Sequence, residues 1–263
     1  MTQLDRSVGR AAFGDDPANY HASRPPYPEA VWQALRRRAG LRPGIDILEI
    51  GAGTGLATKH LLAHRPTRLV AIEPDPRMSV LLDPSVDVVT ASFEEAAIGE
   101  QFDLVASATA FHWLDAVPAL HRIGGLLRPS GAIALWWNVH GDPERPDAFH
   151  VATQPLFAGN VASPAEGRGG IPYALDTAAR LADLSAAGFS SDPPEFIGST
   201  VVLDPPCLRR LYATYSNVTA LPPLQRERLL DGLVSVAERQ FGGRVERNMV
   251  TAIYTARPGA APG

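Results

Sequence analysis

The sequence predicts an α/β protein built on a Rossmann-like, doubly wound sheet, and three observations carry that expectation. The first is an apolar run of strand length, Ile45, Ile47, Leu48 and Ile50. It breaks at Gly51, Gly53 and Gly55 and restarts with helical spacing through Leu56, Ala57, Leu61 and Leu62. The second is Glu73, an acid at the end of the next apolar run. It falls in the window about 20 residues past the glycines where such sheets place a ribose-binding carboxylate. The third is the recurrence of short apolar runs at 68–72, 86–90, 102–107 and 132–137, with helical stretches among them.

The glycine run decides the type of ligand. Without a Cβ the chain turns with positive φ and lets a ligand lie against its backbone. The dinucleotide pattern G-x-G-x-x-G seats a pyrophosphate at a helix start. Gly51 and Gly53 fit it, but Leu56 stands at the third position and the third glycine comes early, at Gly55. Glu49, at the end of the strand, would repel a pyrophosphate and favour a cationic ligand. This E-x-G-x-G-x-G run resembles motif I of the class I S-adenosylmethionine (SAM) methyltransferases, whose ligand carries a sulfonium and an α-ammonium.

Composition bounds the rest. The 263 residues are 45% hydrophobic and carry a net charge of −4 with no basic block, which argues against nucleic acid or an anionic membrane as partner. Met1 to Arg10 is polar with no apolar signal core, and no run reaches transmembrane length. The single cysteine, Cys207, forms no internal disulfide and is expected to be a small buried hydrophobe. These features suit a soluble cytoplasmic protein. Lys59 is the only lysine among 24 basic residues, a codon signature of a high-GC bacterium that leans toward secondary metabolism.

Residues 1–40 are expected to form an arm and a first helix. Pro25, Pro26 and Pro28 argue for an ordered arm with no helix from Asn19 up to Pro28, with the helix following. The run Y-x-x-x-R-P-x-Y-P from Tyr20 resembles the arm of small-molecule methyltransferases related to trans-aconitate methyltransferase. The resemblance implies a flap in which Tyr20 and Arg24 face the methionine end of SAM and Tyr27 faces the substrate.

The cofactor core is expected over 41–138. The resemblance assigns Glu49, Gly51, Ala52, Gly53, Gly55, Leu56, Glu73, Pro74 and Ala108 to the cofactor, with Glu73 on the ribose diol. It also implies an acid that receives the adenine amine after the third strand. Ser92 stands there instead, with Phe93 to pack on the ring; Ser92 and Glu95 also read as a helix capping box. After the strand 102–107 comes Phe111-His112-Trp113, in the place of motif IV. His112 titrates near neutrality in its ordinary state and is the candidate catalytic base, while Trp113 walls the pocket. His121 and Arg122 are expected on the solvated side of a helix over 116–127. The turn Leu126–Gly131 leads into the strand ending at Trp137, a candidate substrate contact. The resemblance covers Asp46 to Asn138.

Residues 139–240 are expected to hold an insertion and a substrate cap. The Pro- and Gly-rich stretch 139–175 reads as a lid, and its His and acid residues match no metal spacing. A helix over 176–187, a strand over 195–202 and helices over 206–217 and 223–240 follow. Tyr212 and Tyr215 are candidates to face the acceptor. The resemblance implies a seven-stranded sheet whose last strand, within 241–257, runs antiparallel; residues 258–263 are expected to be a disordered tail. The function implied is methyl transfer from SAM to an O, C or N atom of a small molecule, leaving S-adenosylhomocysteine. Alternatives are a non-methylating reaction such as a cyclisation on the same fold, a regulatory SAM-binding module, and an NAD(P) oxidoreductase. The acceptor and the oligomeric state are not legible.

Overall fold

The computed structural model describes residues 4–6, 9, 12–167 and 169–259. Its centre is a sheet of eight strands: β1 (Asp46–Ile50), β2 (Arg68–Ile72), β3 (Asp87–Val89), β4 (Phe102–Ala108), β5 (Leu127–His140), β6 (Phe189–Ser191), β7 (Glu195–Leu203) and β8 (Val245–Pro258). The order is β3-β2-β1-β4-β5-β8, with β6 and β7 both paired to the far edge of β8. Strands β1 to β5 are parallel, and β8 runs antiparallel to β5 from Ile133↔Ala256 to His140↔Met249. The expected architecture, with its last strand antiparallel, is therefore present. The outermost position is broken into β6 and β7 around Asp192-Pro193-Pro194, because proline has no N–H to give to a ladder.

Helices cover both faces. The helix α2 (Glu29–Arg38) brings Val31, Trp32, Ala34 and Leu35 onto one face of the sheet, against Ile47, Leu104, Ala134 and Trp136. On the other face α5 (Ala116–Leu126) buries Leu120, Ile123 and Leu126 with Leu48, Val105, Ile133 and Phe189. Strands β1 and β4 are buried almost throughout, as a parallel sheet covered on both faces requires. A third core lies away from the sheet's centre. It joins α6 (Ala148–Thr153), α8 (Pro205–Tyr212), α9 (Ser216–Thr219) and α10 (Pro223–Phe241) through Phe149, Leu208, Tyr212, Leu230 and Leu233. Among the described residues no helix is long and apolar enough to cross a membrane.

Several expectations need correction. Residues 17–23 are the helix α1, where no helix was expected before Pro28. Asp16 caps it by accepting the Asn19 N–H at 3.0 Å, and Pro17 suits its first turn; the chain becomes extended only at Arg24, just before Pro25. The single helix expected over 206–217 is α8 and α9 with a turn between them. Residues 92–96 form a turn rather than a capped helix, because the Ser92 hydroxyl donates to the Glu95 carboxylate at 2.7 Å. Arg122 is half-buried and engaged rather than free on the solvated side: its guanidinium donates to the carbonyls of Phe93, Glu94 and Ala96. Cys207 is half-buried at the start of α8, not part of the core. Pro258 pairs with Phe189 at the end of β8 and the Gly259 N–H donates to Gly188, so the ordered chain runs further than expected; residues 260–263 lie outside the described residues.

Candidate active site

A cleft opens at the carboxyl ends of β1, β2 and β4, where open α/β sheets place their ligands. Its space, counted out into its open mouth, is about 840 Å³. Its floor is the glycine turn between β1 and α3 (Thr58–Ala63). Gly51 has φ +72° and Gly53 φ +58°. The Gly51 N–H donates to the Ile72 carbonyl at 2.8 Å, and a Cβ on Gly51 would stand 2.4 Å from the Cβ of Ala110. At Gly51 the turn is thus pressed against the segment that follows β4 and has no room for a side chain.

Two carboxylates organise this floor. Glu49 is fully buried below the turn and lines the cleft; its Oε2 accepts the Thr58 hydroxyl at 2.7 Å, and its Oε1 has no partner. Burial pushes its pKa up to about 8, helped by the nearby Glu73 and opposed by the Thr58 hydrogen bond. Glu73, at the end of β2, accepts the Gly53 N–H at 2.8 Å on Oε2 and the Asp75 N–H at 3.0 Å on Oε1. Burial raises its pKa against the pull of those two N–H groups. Glu73 therefore fixes the glycine turn while keeping lone pairs for a ligand.

The roof comes from the N-terminal segment. Phe13 and Tyr20 line the cleft, edge to face with ring centroids 5.5 Å apart, and Phe13 meets Trp113 at 5.6 Å. The segment is tied down at several points. Asp15 pairs with Arg77 at 3.0 Å, and Arg77 pairs with Asp75 at 2.7 Å, beside α4 (Pro76–Ser79). His21 Nδ1 lies 3.0 Å from the Thr54 hydroxyl. The Asn19 side chain donates to the Arg210 carbonyl at 3.1 Å. At the end of β4, Thr109 has φ +53°, a strained conformation for a β-branched residue; its hydroxyl lies 2.9 Å from that of Tyr27.

The cleft gathers most of the expected cofactor residues: Tyr20, Glu49, Gly51, Ala52, Gly53, Leu56, Glu73, Pro74, Phe93, Ala108 and Trp113, with the expected substrate residue Tyr27. Arg122 holds Phe93 from behind, its guanidinium 4.8 Å from the ring centroid. Gly55 shapes the turn at φ +85° without lining the cleft. Ser92 lies off the cleft, engaged with Glu95. Phe13, Thr54, Met78, Thr109 and Ala110 line it without having been expected. Of these, Thr54 follows directly from the glycine motif, whereas Phe13 carries no periodic signal.

The expected substrate and catalytic residues fare differently. His112 is 3% exposed, does not line the cleft, and accepts the Trp137 indole N–H on Nδ1 at 3.1 Å. In its neutral form the proton is then on Nε2, so the remaining nitrogen is a donor. Burial, with the charges of Arg24 and Arg6, lowers its pKa to about 3. The expected base near neutrality is therefore corrected to a buried packing histidine. Trp137 is spent on that bond and on the core. Tyr212 is 3% exposed and packs in the third core with Phe149 and Phe157, not toward an acceptor. Tyr215 and Arg24 lie next to each other beside the cleft, outside its lining. Among the described residues no group of three or more His, Cys, Asp or Glu side chains could hold a metal ion.

The sheet order, the single antiparallel strand at β8 and the acid-flanked glycine turn are the features expected of the class I SAM-dependent methyltransferase fold. Comparisons with known proteins agree with those features: residues 48–135 match the methyltransferase domain family. It is 28% identical over 257 residues to an uncharacterized methyltransferase of Schizosaccharomyces pombe, covering 95% of this chain and 97% of that one. Other curated methyltransferases share only about half of their length with it. In fold it resembles a candidate type II methyltransferase from Anaeromyxobacter dehalogenans, with a TM-score of 0.65, 20% identity, and coverage of 90% and 99% of the two chains. It also resembles the [4+2]-cyclase SpnF, with a TM-score of 0.58, 15% identity, and coverage of 99% and 98%.

Proposed function

We propose that this chain binds SAM in the cleft and transfers its methyl group to a small-molecule acceptor, releasing S-adenosylhomocysteine. The observation that carries the reading is Glu49: a fully buried carboxylate that lines the cleft and keeps one oxygen unpartnered, below a turn in which Gly51 has no room for a Cβ. An unpartnered buried acid is costly unless a ligand offsets it, and a cationic cofactor does so. Glu73 suits the ribose diol, since two backbone N–H bonds leave it acceptor capacity. Phe93 and Pro74 suit the flanks of the adenine, and Phe13 and Tyr20 close over the cofactor.

SAM supplies an already activated methyl, so the protein's own tasks are orientation and exclusion of water. The aromatic roof of Phe13, Tyr20 and Trp113 excludes water. Tyr27 and Thr109, held together at 2.9 Å, offer hydroxyls to an acceptor at the end of β4. Tyr27 stays protonated, because burial first of all raises its pKa. Among the described residues that line the cleft at the end of β4 none is a histidine or a carboxylate, which favours an acceptor that arrives as a nucleophile. The arginine-rich composition supports a role in bacterial secondary metabolism, and the single cysteine supports a cytoplasmic location.

The test is incubation of the protein with methyl-labelled SAM and a panel of small acids, alcohols and amines. The expected result is S-adenosylhomocysteine together with a labelled product. A converted substrate with no SAM consumed would favour the non-methylating reading, which the cyclase of the same fold keeps in view.

A further inference from the structure

The cleft sorts acceptors by charge. Among the described residues that line it, the charged groups are Glu49 and Glu73, and none is an arginine, lysine or histidine. The cations around it are engaged with other partners. Arg24 gives its terminal nitrogens to the Thr214 carbonyl and to His140 Nε2. Arg77 pairs with Asp75 and Asp15, and Arg122 donates to the carbonyls behind Phe93. At the end of β4 the lining is apolar and aromatic, from Ala108, Ala110, Leu114 and Trp113, with the Phe13 ring 5.6 Å from that of Trp113. The polar groups there are two hydroxyls. Thr109 Oγ1 accepts the Asn138 N–H at 3.3 Å and lies 2.9 Å from the Tyr27 hydroxyl. Burial raises the Tyr27 pKa, so this pair can share hydrogen bonds with a ligand without becoming charged.

Each class of acceptor meets this lining differently. An anionic acceptor would enter a sheltered cleft that holds two acids and no cation to receive it. An alcohol or a protonated amine must lose a proton, and no histidine or carboxylate lines the end of β4 to take it. A ring nitrogen of low basicity is neutral near pH 7, carries an in-plane lone pair and has no proton to lose. Its flat ring suits aromatic walls. Charge conservation favours it as well. The nitrogen lone pair forms the new N–CH3 bond, the S–CH3 bond breaks with its electron pair left on sulfur, and no proton moves. The positive charge that enters on the sulfonium then leaves on the ring. Transfer to an anion would extinguish that charge, whereas transfer to a ring nitrogen keeps a cation against the aromatic faces and near the two acids.

We propose that the acceptor is a neutral heteroaromatic nitrogen, of pyridine or quinoline type, and that it leaves the cleft as an N-methyl cation. The proposal rests on the methyl-transfer reading.

The S-adenosylhomocysteine-saturated protein is titrated by calorimetry with N-methylisoquinolinium and with 2-naphthoate, two flat bicyclic ions of opposite charge. The expected result is that the cation binds and that naphthoate binds about tenfold more weakly or not at all. Phe13→Leu, with melting temperature as the check on folding, should weaken the cation about three- to tenfold and leave naphthoate unchanged; a loss shared equally by naphthoate would count against the proposal. Methyl-labelled SAM is then offered with pyridine, isoquinoline, 2-naphthol and 2-naphthoate. Label should pass to a ring nitrogen, at a rate that is flat from about pH 7 to 8.5 under saturating SAM because no proton moves. Naphthoate binding as tightly as the cation would overturn the proposal. Label passing faster to naphthol or naphthoate than to either ring nitrogen, or to no ring nitrogen at all, would overturn it too. A wild type that binds neither SAM nor S-adenosylhomocysteine would instead count against the methyl-transfer reading itself.

Discussion

The floor and the roof of the cleft are built by different rules. The floor is local: β1, the glycine turn and α3 lie within Asp46–Ala63, and its second acid arrives one strand later. Its geometry comes from backbone, through positive φ at Gly51 and Gly53 and hydrogen bonds to Glu73. The roof is assembled from distant pieces. Arg24 reaches Thr214, Asn19 reaches Arg210, and Asn138 reaches Pro25, each across more than a hundred residues. Its ties are single side chains reaching distant backbone carbonyls. A floor of this kind should be intolerant of single atoms, and a roof of this kind should yield gradually.

The sharpest way to break that contrast is Gly51→Ala. An alanine at positive φ costs about 1–2 kcal/mol, and crowding against Ala110 adds roughly 1–3 kcal/mol. SAM binding should become undetectable by calorimetry while most of the secondary structure remains by circular dichroism. Retained binding would mean that the turn is softer than its packing implies.

Glu49→Gln should weaken SAM by about 10–100-fold, since it removes the charge below the turn. It should also change the pH dependence. The folded pKa of Glu49 is raised from 4.5 to about 8, so the native state holds an extra proton across that window. Its contribution to stability is complete at low pH and is lost as pH rises toward 8. The unliganded wild type should therefore melt lower at pH 8 than at pH 6, with a smaller drop in Glu49→Gln. Conversely, a cationic ligand favours the ionised acid, so SAM affinity should rise with pH over the same range.

Glu73→Ala should weaken SAM by roughly 1–3 kcal/mol, through lost bonds to the ligand and a loosened Gly53; unchanged affinity would reject the ribose role. On the roof, Gly14→Ala places a Cβ 2.0 Å from the Asp75 carboxylate and 2.6 Å from the Arg77 guanidinium. The strap should shift rather than unfold, and SAM should be released about 3–10-fold faster, as stopped-flow fluorescence would detect. His112→Gln should be smaller still for function: it should cost about 1–3 kcal/mol of stability through the orphaned Trp137 N–H, with the pH–rate profile unmoved. A lost limb near neutral pH would restore His112 as the base.

The same contrast explains what the sequence disclosed. The alternation of strands and helices, the acid at the end of β1 and Glu73 at the end of β2 are one-dimensional patterns, and the structure keeps them. Helix α1 had a local signal in Asp16 and Pro17, outweighed in the sequence by Pro25, Pro26 and Pro28 further on. His112 could not be read from its neighbours, because the indole that takes its Nδ1 lies 25 residues away. Tyr212 and Tyr215 are three residues apart with their rings 4.8 Å from each other, yet Tyr212 sits within the third core while Tyr215, at its edge, meets Arg24. Only tertiary packing separates them.

The most direct measurement is titration calorimetry of the wild-type protein with SAM, S-adenosylhomocysteine and NADH. The account predicts micromolar binding of both SAM and S-adenosylhomocysteine, tighter at pH 8 than at pH 6 for SAM, and none of NADH. Binding of NADH without either sulfur ligand, by protein shown to be folded, would contradict it.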